Sequence, residues 1–361
     1  MWKILFPLAL LFIGASGYIL SEKENAQLQK YCGTNMSIPV RFMRKITDGM
    51  DAKFEEAPWT ARVTMKKYID KKKKVYQTGT LISPKHVLSF WHAFELIGKN
   101  NKVRYNNQTM TRSRCQGNDY VMDPEFTSHV SVDFEIGGKV YKHKVDKIVV
   151  LEKCTEFTNK NRPMLFVLAE SLKNNKIKPI CVDNSLDTWR RSKKVKFFGY
   201  GDNEIEGQGD KFAAAFMEHS ACDKMEDDVV CATTHKDGIL NNGDHGGSAI
   251  TKINKQLTLA GLYIDKRFIN TGARTDTSYK FAHIASYHDK ICKLTGICRP
   301  TQNGGGGGGG GGNTTDTNGG GNTTDTNGGG STTDTNGGLN TNGKGLGCNL
   351  AGRIININVF A

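Results

Sequence analysis

From residue 46 to residue 300 the apolar side chains recur mainly with a period of two, and that spacing excludes a helical fold for most of the chain. Val130, Val132, Phe134 and Ile136 alternate with Ser131, Asp133 and Glu135; Gly137-Gly138 then turns the chain into Lys139 to Val145. Short β-like runs recur at Thr80 to Ile82, Ile148 to Leu151, Lys196 to Phe198 and Leu257 to Tyr263. Clear helical spacing appears only late, where Ile284, Tyr287, Ile291 and Leu294 fall on one face. The expectation is an all-β domain closed by a C-terminal helix.

Composition separates that domain from a tail. Of the 41 glycines in 361 residues, 21 fall from Thr301 onward, so the preceding 300 residues keep enough apolar side chains for a sizeable core. The tail opens with Gly304 to Gly312 and continues as a nine-residue repeat, Asn313 to Gly321 and Asn322 to Gly330, then a shorter Ser331 to Gly338. No apolar residue appears in the repeats, so nothing offsets the entropy of ordering them. Residues 301–361 therefore read as a disordered low-complexity extension. The glycines do not recur at every third position, which excludes collagen. Ile354 to Phe360 alternates like a short strand, and Arg353 with two asparagines spoils it as a lipid-anchor signal.

The N-terminus sets the expected compartment. Lys3 precedes the apolar run Ile4 to Ile13, and small residues follow from Gly14 to Gly17. This is the pattern of a secretory signal over residues 1–17, with an uncleaved anchor as the alternative; the run is short for a bilayer. A multi-pass membrane protein is excluded, because no second long apolar run exists. Secretion makes the nine cysteines disulfide partners rather than metal thiolates. Four glycosylation sequons, at Asn35, Asn107, Asn313 and Asn322, agree with an extracellular location. The net charge of +13 belongs to the folded part, since signal and tail nearly cancel. Its densest cluster, Lys66 to Lys74, reads as a solvated hairpin tip; Lys71 to Lys74 carry no interleaved aromatic, which argues against nucleic acid.

Several segments resemble the trypsin-like serine proteases, in the family's order and at compatible spacing. Lys45-Ile46-Thr-Asp-Gly49 followed by Ala57-Pro58-Trp59 is similar to the zymogen cleavage point and the Pro-Trp beyond it. Gly79 to His92 resembles the strand pair leading to the catalytic histidine, and Phe198-Gly-Tyr-Gly201 the Ser-Gly-Trp-Gly turn. Asn242-Gly-Asp-His-Gly-Gly-Ser248 stands where the family places Gly-Asp-Ser-Gly-Gly-Pro, and Tyr287 to Cys298 is similar to a secreted nematode-type branch. The resemblance spans roughly residues 30–300 and joint order makes coincidence improbable. It implies two six-stranded Greek-key β-barrels with the cleft between them, and a domain plan of signal, pro-segment (18–45), protease-like domain (46–300) and tail.

The chemistry of that family needs a serine, a histidine to take its proton, and a carboxylate to hold the histidine's tautomer. His92 matches the histidine. The nucleophile position holds His245, whose imidazole cannot form the stable acyl ester the cycle requires. Ser248 lies three residues later, off the sharp turn. Arg162 stands in the place of the acid, with Asn161 within one residue of alignment slack and Glu156 several residues upstream. Loss of a triad member leaves a residual catalysis of about 10³–10⁴-fold over water. Gly243 and the amide of His245 keep the oxyanion-hole positions. Ile46 and Asp244 match the new amine and the aspartate that pair after activation. Thr47-Asp48 replaces the family's Val-Gly, so cleavage after Lys45 and a permanently single chain both stay open. Ile239 occupies the specificity-pocket position that decides charge preference, and Asn241 replaces a cysteine that braces that pocket.

The resemblance also implies Cys32–Cys181 and Cys222–Cys231; Cys292–Cys298 and Cys115–Cys154 are what remains, and Ala93 replaces the cysteine beside the histidine. Cys348 is left over in the tail, where an intermolecular bridge is open to it. His92 and His245 invite a zinc reading, but no third ligand is evident, so the expectation is no metal and no cofactor. The leading expectation is a secreted, catalytically inactive homologue that binds an extracellular protein or peptide. An endopeptidase with a non-standard triad and a matrix-linked structural protein are the alternatives.

Overall fold

The alternating segments pair into two closed antiparallel barrels. A computed structural model describes residues 19–34, 50–66, 74–90, 102–105, 108–111, 113–154, 162–201, 213–222, 226–234, 240, 243–270 and 275–299. The chain divides into residues 1–302 and residues 303–361, and the second unit lies wholly outside the described residues. So do the signal segment, Lys45, Ile46, His92, Asn161, Ile239, Cys348 and the asparagines of all four sequons.

Helix α1 (Glu22–Tyr31) precedes the strands. The first half then supplies β1 (Met50–Asp51), β2 (Thr60–Lys66), β3 (Lys74–Ser83), β4 (His86–Phe90), β5 (Lys102–Tyr105) and β6 (Gln108–Thr111). It continues with β7 (Ser113–Gln116), β8 (Asp119–Met122), β9 (Val130–Ile136), β10 (Lys139–Lys153) and β11 (Pro163–Leu168). The second half contributes β12 (Cys181–Val182), β13 (Lys194–Gly199), β14 (Ala213–Ser220), β15 (Val229–Thr234), β16 (Ser248–Ile253), β17 (Gln256–Asn270) and β18 (Thr275–His283). In the first sheet the order β11-β4-β3-β2-β9-β10 returns on itself, because β10 also pairs β11, and β8-β7 extends from β10. In the second, β14-β13-β16-β17-β18-β15 closes through a β14–β15 pairing, with β1 and β12 attached outside. Each ring has six strands, and closure removes the unpaired edges that an open sheet would present.

The hairpin expected at Gly137-Gly138 forms, with Lys139 opposite Ile136. Both glycines adopt positive φ, the conformation a two-residue turn demands. Lys66 lies opposite Lys74 in the β2–β3 pairing, and the rest of the lysine cluster, residues 67–73, lies outside the described residues. Two of the three polar alternates of β9 are turned into the protein. Ser131 and Asp133 are buried, and the Asp133 carboxylate accepts from the Thr64 hydroxyl at 3.1 Å, which offsets its desolvation.

At the C-terminus a single 3-10 turn (Ile284–Tyr287) runs into helix α2 (His288–Thr295). Ile284, Tyr287 and Ile291 are buried as their spacing predicts. Gly296 ends the helix in the left-handed conformation, and a Cβ there would come within 2.2 Å of the Leu20 carbonyl.

Helix α1 has no counterpart in the periodicity, because it buries only Asn25 and Leu28. Its one sequence signal is a capping box: the Glu24 amide donates to Ser21 Oγ and the Ser21 amide donates to the Glu24 carboxylate. The helix is strapped down through the Leu20 amide to the Thr295 carbonyl at 2.8 Å, Asn25 Nδ2 to the Cys298 carbonyl at 3.0 Å, and Cys32–Cys181. Thus the described part of the expected pro-segment packs as an integral part of the domain. Cys115–Cys154, Cys222–Cys231 and Cys292–Cys298 complete the four expected disulfides.

Two histidines of the C-terminal closure are buried, His283 and His288. Burial lowers both pKa values, with Arg190 adding to the effect at His283 and Arg299 at His288; Asp289 partly opposes it at His288. In the unfolded chain a histidine titrates near about 6.5. The unfolded state therefore takes up protons first as pH falls, and stability is full above that value and lost below it. Urea midpoints should fall between pH 7.5 and pH 5.5, and the double variant His283→Asn/His288→Gln should flatten that slope.

Candidate functional site

The site is built on Thr78 in β3. Its amide donates to the His245 carbonyl at 3.0 Å, and its hydroxyl donates to the Gly243 carbonyl at 2.9 Å. The same hydroxyl accepts from the Tyr200 amide at 2.8 Å, while Ser89 Oγ donates to the Thr78 carbonyl at 2.5 Å. One side chain of the first barrel thus clamps the 243–248 turn of the second. Within that turn the Gly247 amide donates to the Asp244 carbonyl at 2.8 Å and the Gly246 amide to the Tyr263 carbonyl at 2.9 Å. Gly243 and Gly246 take φ values of +90° and +80°. A Cβ on Gly246 would lie 2.5 Å from both Ser89 Oγ and the Thr78 carbonyl, so glycine is required by conformation and by space.

His245 follows directly on the clamped backbone. Its ring is buried and stacks on Tyr263, with centroids 5.2 Å apart and planes at 26°. Tyr263 is itself enclosed by Phe197, Tyr279 and Phe281, at centroid distances of 6.0, 6.1 and 5.9 Å. Leu240, next in sequence to Ile239, is fully buried in the same cluster. Burial pushes the Tyr263 phenol up, and the Asp244 and Asp265 carboxylates add to the shift, so the ring stays neutral. The space beside the nucleophile position is therefore packed with aromatic rings rather than left open.

Asp244 is 3% exposed. A Cβ on Gly199 or Gly201 would lie 2.4 or 2.1 Å from its carboxylate oxygens. The two glycines of Phe198-Gly-Tyr-Gly201 thus form the cradle that admits this carboxylate. Ser248 is fully buried and accepts from Trp59 Nε1 at 3.1 Å, which commits it to the core.

Arg162 leads into β11, where Pro163 lies opposite Phe90. Its guanidinium pairs with Asp228, meets Glu152 at 3.4 Å, and donates to the Tyr287 hydroxyl at 3.2 Å. Tyr287 in turn donates to Asp228 at 2.6 Å. Burial alone would lower the Arg162 pKa, but Tyr287, Asp228 and Glu152 outweigh it and hold the charge. Burial, with the Asp228 carboxylate, also pushes the Tyr287 phenol up. The network joins β10, β11, the segment before β15 and the C-terminal turn.

The structure brings together Gly243, Asp244 and His245, and places Arg162 in this separate ionic network. The sequence does not point to Thr78, Tyr263, Asp228, Glu152 or Tyr287. Asp228 and Tyr287 lie 66 and 125 residues from Arg162, so no local spacing encodes them. The Gly-Tyr-Gly turn is the one local signal, and it marks the carboxylate cradle. Among the described residues no group of three or more His, Cys, Asp or Glu is placed to hold a metal ion.

Two closed six-stranded barrels with this glycine turn at their junction define a trypsin-like serine protease homologue. The chain belongs to the nematode trypsin-6-like family, whose sequence profile matches residues 2–298. Among solved structures it is similar to the scabies mite inactivated protease paralogue S-I1, at 17% identity and a TM-score of 0.47, covering 68% of this chain and 97% of that one. No curated protein matches the chain.

Three substitutions test the geometry. Gly246→Ala should cost about 1–3 kcal/mol in denaturant unfolding, as expected for enforced strain. Gly137→Ala, at a φ of +57° with nothing within 4 Å, should cost less. Arg162→Met leaves two carboxylates without their cation; we expect a loss of about 3 kcal/mol, at the low end for buried pairs because Arg162 is 19% exposed.

Proposed function

We propose that this protein is a secreted protease homologue without proteolytic activity, which acts by binding another extracellular protein or peptide. The observation that carries this reading is His245, buried and stacked on Tyr263 at the nucleophile position. An imidazole there supplies no hydroxyl for acyl transfer. Arg162 compounds the loss. A triad acid works by stabilising the imidazolium that forms on its histidine, and a guanidinium in that position opposes the same charge. The apolar Ile239 at the pocket position, beside the aromatic cluster around Tyr263, favours an apolar occupant over a Lys or Arg side chain.

Secretion is supported by the N-terminal signal pattern and four disulfides. No helix among the described residues is long and apolar enough to cross a membrane. The buried Asp244 in its glycine cradle supports a switch: cleavage after Lys45 would free the Ile46 amine to pair with it. Gly243 and the His245 amide are retained as an oxyanion-type site, so the turn can still receive a carbonyl without breaking a bond.

The test is activity of the pure protein, before and after cutting at Lys45. We expect no label from an active-site fluorophosphonate and no turnover across a panel of peptide esters. Turnover abolished by His92→Ala overturns the proposal. Replacing only the nucleophile, His245→Ser, should leave ester hydrolysis about 10⁴-fold below that of an intact trypsin assayed alongside, because the acid is still missing.

A further inference from the structure

Residues 31–34 and 172–179 face each other across a cleft of about 320 Å³, within the roughly 300–1,000 Å³ range of small-molecule sites. Leu81, Pro84, Leu172, Ile177 and Pro179 supply an apolar lining, and Leu81 and Ile177 are buried. Lys173 and Lys178 complete one wall with two asparagines, and Tyr31 and Thr34 form the other. Among the described residues no carboxylate lines the cleft and neither lysine makes an ion pair. Lys178 is half-buried, so its methylenes add to the apolar wall while its charge stays available.

Both walls are fixed before any ligand arrives. The Leu172 amide donates to the Pro84 carbonyl at 2.8 Å, the Ile177 amide to the Asn174 carbonyl at 3.1 Å, and the Lys178 amide to the Pro58 carbonyl at 3.3 Å. On the other side Thr34 Oγ1 donates to the Tyr31 carbonyl at 2.8 Å, and the Gly33 amide reaches across to the Pro179 carbonyl at 3.1 Å. Gly33 runs at φ +59°, and a Cβ there would strike the Leu257 carbonyl at 2.1 Å. The Cys32–Cys181 disulfide then ties the two walls covalently. A cleft held this way loses little entropy on binding, which is what a small ligand needs for useful affinity.

We propose that this cleft binds a small amphipathic anion, an aromatic or short aliphatic body carrying one carboxylate or sulfonate. The body lies on the Leu81, Leu172 and Ile177 surface, and the anion pairs with Lys173 and Lys178. The site is independent of the 243–248 turn, so its occupancy does not depend on whether the protein is catalytic.

The probe is 8-anilinonaphthalene-1-sulfonate, titrated by fluorescence against the full secreted chain, with uncharged N-phenyl-1-naphthylamine as its neutral counterpart and 4-phenylbutyrate as a carboxylate competitor. We expect one saturable site per chain and displacement by phenylbutyrate. Lys173→Glu/Lys178→Glu should weaken the sulfonate at least tenfold while changing the neutral compound less than twofold. Leu172→Asp should weaken both at least fivefold, with near-UV circular dichroism confirming that each variant is folded. Binding that does not saturate, or that both folded variants leave unchanged, overturns the proposal.

Discussion

The turn at residues 243–248 is held against the first barrel chiefly through one residue, Thr78. Its amide, hydroxyl and carbonyl are all engaged at once, by His245, Gly243, Tyr200 and Ser89. A threonine at this point of a barrel strand is fully buried, so each of its polar groups must find a partner or cost stability. Ser89 lies on neighbouring β4, and the other three partners lie on the 243–248 turn and the 198–201 turn of the other barrel. The clamp therefore fixes two loops of the second barrel with one residue of the first. The glycines at 243 and 246 flank the clamped segment, and their positive φ shapes the turn that brings the Gly243 and His245 carbonyls to Thr78.

Given that clamp, the identity of residue 245 decides what the turn can do. A small hydroxyl side chain at this position would leave space above Tyr263. The imidazole fills that space by stacking on the phenol ring, and three more buried rings, Phe197, Tyr279 and Phe281, pack around Tyr263 with Leu240 in the same cluster. Aromatic pairs of this kind contribute about 0.5–1.5 kcal/mol beyond area burial. The histidine is thereby a packing residue of the second barrel. The backbone of the turn and its chemistry are separable: the former is held by Thr78 and the glycines, and the latter is set by the side chain at 245.

The barrels were legible in the sequence because their strands obey a period of two, and one hairpin announces itself by the paired glycines at Gly137-Gly138. The order of the motifs from Pro58-Trp59 to Gly243 to Ser248 then specified which barrels. What periodicity missed was α1, which buries two residues and is held by a capping box and a disulfide rather than by an apolar stripe. It also missed the burial of Asp133, whose partner Thr64 lies 69 residues away. At the site, the positions of Gly243, Asp244 and His245 were readable from the motif. The surroundings of Arg162 were not, because Glu152, Asp228 and Tyr287 are brought to it by three different elements. Sequence names the substitution; only the fold shows where the new side chain finds its countercharges.

That last point bears on why the two substitutions are coupled. An arginine cannot sit half-buried without anions, and here Glu152 and Asp228 supply them with Tyr287 bridging. The network is anchored on β10, on the segment entering β15 and on the C-terminal turn, so it ties the two barrels together as Thr78 does. Returning an aspartate to position 162 would set a third carboxylate among Glu152 and Asp228 and remove the cation that holds them. The electrostatic surroundings have thus become complementary to a positive charge at 162, whereas a triad needs a negative one. Restoring a serine at 245 leaves this mismatch intact, and restoring the acid alone leaves no nucleophile. On the proposed reading of the site, a full triad here needs changes at 162 and 245 together with the carboxylates around Arg162.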